Sequence, residues 1–194
     1  DVFGNGSDKV SGLDNVLHPA DVTILGVGNV ILTDEGFGVR AAEYLDHHYT
    51  FPDNVQIVDG GTLGIELTQY VTGTNKLLVI DSINGGAEPG TVFRFHNDAI
   101  MEHFQDKLSA HEVGIQDVLA LLTVTGHKIP EVIVIGAQPF DLEAGVGLSD
   151  GMQALLPQIV EQILKDLRDW GIEAQRKETA GDFDYSVVAE EAVK

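Results

Sequence analysis

Val22-Thr23-Ile24-Leu25-Gly26-Val27-Gly28-Asn29-Val30-Ile31-Leu32-Thr33-Asp34-Glu35-Gly36-Phe37-Gly38-Val39-Arg40 moves from strand to helix without a break. Its opening, VTILG, is a short apolar, β-branched run of the kind that forms a buried strand. From Gly36 to Tyr49, the residues Ala41, Ala42, Leu45 and Tyr49 recur on one helical face. Between the two lies a loop that mixes glycines with acidic residues.

The same alternation continues along the chain. Val55–Asp59 (VQIVD) and Lys76–Asp81 (KLLVID) read as further buried strands, with a short helix over Thr62–Val71 between them. Thr91–His96 alternates Val92, Arg94 and His96 against Thr91, Phe93 and Phe95, the pattern of a half-exposed edge strand. A helix over about Val113–Leu122 turns Ile115, Val118, Leu119 and Leu122 inward, and Glu131–Gly136 (EVIVIG) is one more buried strand. The last helix covers Ser149 to Trp170, with an apolar stripe of Leu155, Leu156, Ile159, Ile163, Leu167 and Trp170. Pro157 inside it predicts a kink or a later start. Strands that are apolar throughout, alternating with helices, predict an α/β fold: one domain, a twisted, mainly parallel sheet with helices on both faces. The domain spans 21–175, between an N-terminal arm (1–20) rich in Gly, Asn, Ser and Asp and an acidic tail (176–194).

Composition narrows the partners. Of 194 residues, 31 are acidic and 11 are Lys or Arg, so the net charge is -20 with His neutral. Such a surface repels phosphate backbones and anionic lipid, which argues against nucleic-acid and membrane partners. There is no cysteine. That excludes disulfides, thiolate metal sites and cysteine nucleophiles together. No apolar run approaches the roughly 20 residues of a membrane span. The first residues lack the basic and apolar regions of a signal peptide. The expectation is a cytoplasmic monomer.

The polar residues gather immediately after the strands. Thr33-Asp34-Glu35-Gly36 follow the first, Asp59-Gly60-Gly61-Thr62 the second, Asp81-Ser82-Ile83-Asn84-Gly85-Gly86 the third, and Gln138-Pro139 the EVIVIG strand. In a parallel sheet these loops share one edge, and ligands bind outside the carboxyl ends of the strands. Gly26 and Gly28 open a dinucleotide fingerprint, but Ile31 stands where its third glycine belongs. No P-loop and no nucleophile elbow is present. His111-Glu112 begins like a zincin helix, but Ile115 replaces the second histidine. What remains is a set of two carboxylates, Glu35 and Asp81, with one imidazole, His111. Two oxygens and a nitrogen leave open positions on a divalent ion such as Ni, Zn, Fe or Mn.

Each residue has a structural alternative. Asp34 and Glu35 precede a helix, where acidic side chains cap N–H groups. Asp59 and Asp81 could be turn formers beside glycines. His111 could be an exposed loop histidine, and Ser109 could cap the helix after it. His47, His48, His96, His103 and His127 read as solvated surface.

The Gly26–Arg40 stretch closely resembles the opening motif of the NiFe-hydrogenase maturation endopeptidases. The likeness continues through Asp59-Gly60-Gly61-Thr62, Asp81-Ser82 and the His111 segment, in the family's order and over about Val22 to Glu173. It implies an endopeptidase that removes a short C-terminal peptide from the precursor of a hydrogenase large subunit after nickel insertion. The cut lies just after the nickel-binding Cys motif, on the C-terminal side of a His or Arg. The family's metal-binding residues match Glu35, Asp81 and His111, with nickel carried by the substrate and another divalent ion able to take its place in vitro. Asp59 is a weaker candidate for orienting the attacking water or the peptide. Ala110 departs from the proline that relatives often carry there, and the arm and tail lie outside the family pattern. Two other readings are a non-enzymatic nickel-binding accessory protein and a nucleotide-binding domain using Gly26 and Gly28. The loops Gly85–Gly90 and Gln138–Gly147 are the candidates for substrate recognition.

Overall fold

Apolar side chains on both faces of a strand require cover on both faces, and the chain supplies it. The computed structural model describes residues 2–3, 20–62, 64–104 and 115–178. Its strands are β1 (Val2–Phe3), β2 (Val22–Val27), β3 (Tyr49–Thr50), β4 (Val55–Gly61), β5 (Lys76–Ser82), β6 (Val92–His96), β7 (Glu131–Ala137) and β8 (Gln175–Arg176). Its α-helices are α1 (Phe37–His48), α2 (Thr68–Val71), α3 (Asp98–Phe104), α4 (Ile115–Val124) and α5 (Asp150–Asp169). Short 3₁₀ turns at Thr33–Gly36 and Ile65–Leu67 lead into α1 and α2.

The main sheet runs in the order β1-β4-β2-β5-β7-β6. Strands β4, β2, β5 and β7 are parallel, and β6 and β1 close the two edges antiparallel. On one face Ile24, Ile57, Leu78, Ile80 and Ile133 pack with α1 and α5. On the other, Leu25, Val58, Leu77, Val79 and Val134 pack with α2, α3 and α4. The expected sandwich is therefore the one that forms. No helix among the described residues is long and apolar enough to cross a membrane.

Several local readings shift. Val2 and Phe3, inside the stretch assigned to the arm, pair with Val58 and Ile57. Gln175 and Arg176, at the boundary with the tail, pair with Thr50 and Tyr49. Helix α3 carries no periodicity long enough to announce it, and sequence reading passed over it. Helix α5 begins at Asp150 despite Pro157, with Ser149 as its N-cap: the hydroxyl accepts a hydrogen bond from the Met152 amide. Pro157 is exposed, so the carbonyl that its missing N–H leaves unused lies on the solvent side. His48 is buried against Tyr44, with ring centroids 4.1 Å apart, which corrects its assignment to the surface. His96 is exposed as expected but pairs with Glu131, at the strand edge far from the acidic loops.

Helix α1 is pressed unusually close to the sheet. A Cβ placed on Gly38 would lie 2.0 Å from the Ile80 carbonyl oxygen and 2.4 Å from that of Val27. Both are backbone atoms at the carboxyl ends of β5 and β2, so neither can rotate away. Gly38→Ala is expected to destabilise the protein by about 3 kcal/mol or more, because the whole helix must lift. Denaturant unfolding would measure it; a loss under about 1 kcal/mol would show that the helix start is loosely seated.

Candidate active site

Strand β2 lies at the centre of the parallel set, with β4 on one side and β5 on the other. Chain order reverses there: the connection after β2 leads to β4, and the next one crosses back to β5. Such a reversal opens a crevice at the carboxyl ends of the two diverging strands, the place where α/β sheets bind ligands. Glu35 sits in the 3₁₀ turn after β2, and Asp81 is the penultimate residue of β5. The turn carrying Glu35 packs directly against β5. Topology thus brings together two carboxylates that are 46 residues apart in sequence (81 − 35).

Both side chains are buried. Burial pushes the Asp81 carboxyl well above the usual carboxylate range; a hydrogen bond from the Ser82 amide opposes this, and the nearby Glu35 carboxylate reinforces it. Two buried acids side by side are costly unless something positive joins them. A divalent cation between them would remove that penalty, and carboxylate oxygens suit hard and borderline ions. Among the described residues, no three His, Asp or Glu side chains form a group able to hold a metal ion. His111, the third expected ligand, lies outside the described residues, as does Ser109.

Asp59 stands at the end of β4, beside the same crevice. The pairing of β2 with β4 slips there, from Gly26 opposite Asp59 to Val27 opposite Gly61, so Gly60 is an extra residue in a bulge. Asp59 Oδ1 accepts the Gly61 amide at 2.9 Å, and the Gly28 amide donates to the Gly61 carbonyl at 2.8 Å. This carboxylate therefore shapes its own strand end, as the turn-forming alternative proposed.

Asp34 is the residue that sequence reading placed least well. It does not cap: neither the 3₁₀ turn nor α1 has a side-chain cap hydrogen bond. Its carboxylate is completely buried and accepts the amides of Phe140 and Asp141 at 3.0 Å each, the Ser149 amide at 2.9 Å and the Ser149 hydroxyl at 2.7 Å. These partners lie more than 100 residues away, so no local pattern could have pointed to them. Gln138, which the sequence places on the rim and at the start of a candidate recognition loop, has long-range partners as well. Its buried amide oxygen accepts the Gly85 and Ala87 amides, and its nitrogen donates to Asn84 Oδ1, fastening the loop after β5 to the end of β7.

The glycines of the loop serve packing. A Cβ on Gly28, whose φ is +139°, would lie 2.0 Å from the Glu35 carbonyl oxygen. The protein's own backbone fills the space beside Gly28, so the absence of a side chain there serves the seating of the Glu35 turn.

Known proteins of one family resemble this chain in sequence and in fold. Residues 39–166 match the family model described as hydrogenase maturation protease. The chain is 37% identical over 162 residues to the hydrogenase 2 maturation protease of Escherichia coli K12, covering 83% of this chain and 99% of that protein. The structure of the hydrogenase maturating endopeptidase HybD from E. coli superposes with a TM-score of 0.76 at 37% identity, over 80% of this chain and 97% of that one. The NiFe-hydrogenase maturation protease HybD of Thermococcus kodakarensis superposes with a TM-score of 0.62 at 28% identity, over 74% and 97%.

Proposed function

This chain belongs to the hydrogenase maturation protease family and is an endopeptidase, and we propose that it removes the C-terminal peptide from a NiFe-hydrogenase large-subunit precursor once nickel is in place. The buried Glu35–Asp81 pair at the chain reversal carries this reading. Two carboxylates cannot complete a coordination sphere, so they suit a metal that arrives with ligands of its own. Nickel held by the precursor's cysteines is such a metal.

Glu35, Asp81 and His111 act as the protein's side of that contact. Gripping the substrate's nickel fixes the neighbouring peptide bond in the crevice, and holding reactants in register is itself a large part of catalysis. Hydrolysis then adds water across the C–N bond, hydroxyl to the acyl carbon and proton to the departing amine. The chain has no cysteine to serve as a nucleophile in place of water. Asp59 takes the minor part: it keeps the end of β4 in the shape along which the peptide lies. The reaction takes place in the cytoplasm, with the protease acting as a monomer.

The test is a mass spectrum of the precursor after incubation with this protein, with and without nickel loaded. The tail is expected to leave only the nickel-loaded precursor, and a folded His111→Ala variant is expected to leave it intact. Failure to cut a correctly loaded cognate precursor would overturn the protease reading for this site. Normal cutting by His111→Ala would remove that residue from the ligand set.

A further inference from the structure

We propose that the exposed side chains of Ile31, Leu142 and Val146 form an apolar ledge beside the crevice, which docks an apolar stretch of the hydrogenase precursor close to its cleavage point. The proposal rests on the protease reading above and deepens it.

The three residues are 59%, 39% and 42% exposed. Large exposed apolar side chains are few among the described residues: besides these three there are only Phe140, Leu121 and Val124. Phe140 already has a role, because its ring covers Gly90 and Gly151. Leu121 and Val124 lie at the end of α4, which leads toward the amino end of β7, at the opposite edge of the sheet from the crevice. Ile31, Leu142 and Val146 thus lie on two segments that are bonded to each other beside the turn carrying Glu35. Grouped exposed apolar side chains on an otherwise polar surface mark interaction sites.

Two segments distant in sequence carry the ledge, and the backbone joins them. The Gly145 amide donates to the Ile31 carbonyl at 2.9 Å, and the Thr33 amide donates to the Gly145 carbonyl at 3.0 Å. The Thr33 hydroxyl donates to the Glu143 carbonyl at 2.7 Å, and the Asp34 amide to the Asp141 carbonyl at 3.1 Å. These bonds hold Thr33 at a φ of +50°, a conformation that a β-branched residue adopts only when its surroundings enforce it. The ledge is therefore built in advance of binding. It is also continuous with the active site, since Ile31 and Glu35 belong to the same short loop.

Charge selects the occupant. At a net charge of -20, two copies of this chain repel one another, so self-association through the ledge is disfavoured. A cation-rich segment would find its partners among the acidic side chains and would gain nothing from three aliphatic ones. An apolar segment of the precursor gains from each of them.

The experiment compares wild type with Ile31→Ser, Leu142→Ser and Val146→Ser in steady-state processing of nickel-loaded precursor, with Val124→Ser as the control at the far edge. Each ledge variant is expected to keep its melting temperature and to raise KM roughly tenfold with little change in kcat, the usual worth of one aliphatic contact. The control should behave as wild type. Precursor affinity is also measured by surface plasmon resonance on a Glu35→Gln background, with and without Val146→Ser, so the ledge is judged even if nothing is cut. Absence of cleavage by wild type would count against the protease reading alone. Unchanged KM and unchanged affinity in folded ledge variants would overturn the ledge. So would a dimer in solution that those variants dissociate while KM stays the same.

Discussion

Asp81→Asn is expected to give a protein that melts at a higher temperature than wild type at neutral pH and no longer processes the precursor. Both effects follow from one placement. Burial holds the Asp81 carboxyl well above its ordinary range, and Glu35 adds to this. In the unfolded chain the same group ionises near the ordinary value of about 3.9. Between that value and the raised one, the folded state binds more protons than the unfolded state. Stability therefore falls as pH rises through this window and stays lower above it. Asparagine has nearly the same shape and no charge to bury. The variant's advantage should be present at pH 7 and fade as pH approaches the unfolded carboxyl's own value. Activity moves the other way. Loss of a carboxylate that grips the substrate's metal should lower kcat/KM on the order of a thousandfold, about 4 kcal/mol of transition-state stabilisation. Thermal melts across pH, paired with the mass-spectrometric assay, measure both. A variant less stable than wild type at pH 7 would show that Asp81 is a supporting residue of the fold instead.

Asp34→Ala probes the opposite kind of residue, and its expected loss is in stability. Four hydrogen bonds end on this one carboxylate, and three of the donors are backbone amides in the segment that closes over the loop. Alanine leaves all of them without their acceptor in a buried place, where an unmet donor costs far more than a made bond contributes. The expected destabilisation is about 4 kcal/mol, a fall of roughly 10 °C in melting temperature for a chain of this size. Asp34→Asn retains one acceptor oxygen but turns an NH₂ toward at least one donor, and should fall about half as far. Because Glu35 is the next residue, processing should drop in both variants in step with the loosening of the loop. Limited proteolysis at residues 139–149 would report that loosening directly. Full thermal stability in Asp34→Ala would mean that other bonds suffice to hold the two segments.

Comparing these two acids shows how far sequence can be read. Asp81 was legible because a local rule applies: a carboxylate just after a buried parallel strand lies on the ligand-binding rim. The same rule puts Glu35 on that rim, in the loop after the first strand. Asp34 satisfied the rule equally well, yet it serves the fold. Only its partners distinguish it from Glu35, and they come from the far end of the chain. Gln138 repeats the lesson, as a polar residue on the rim whose amide ties two loops together. His48 errs in the other direction, a histidine in a polar-looking run that is buried against Tyr44.

By itself the sequence determined the five longer strands of the main sheet and the edge at which chemistry gathers. Strand identity is written in short apolar runs, because a strand covered on both faces can hold little else, and the neighbouring residues are enough to recognise it. Tertiary structure decided the strand order, and with it the crevice between β2 and β5 that brings Glu35 to Asp81. It also decided which acid lies near Asp81 and which is tied to the segment after β7, and it drew Ile31 beside the segment bearing Leu142 and Val146. The reason is physical. Periodicity and turn chemistry act over a few residues, whereas hydrogen bonding and desolvation act on whatever the folded chain brings within a few ångströms.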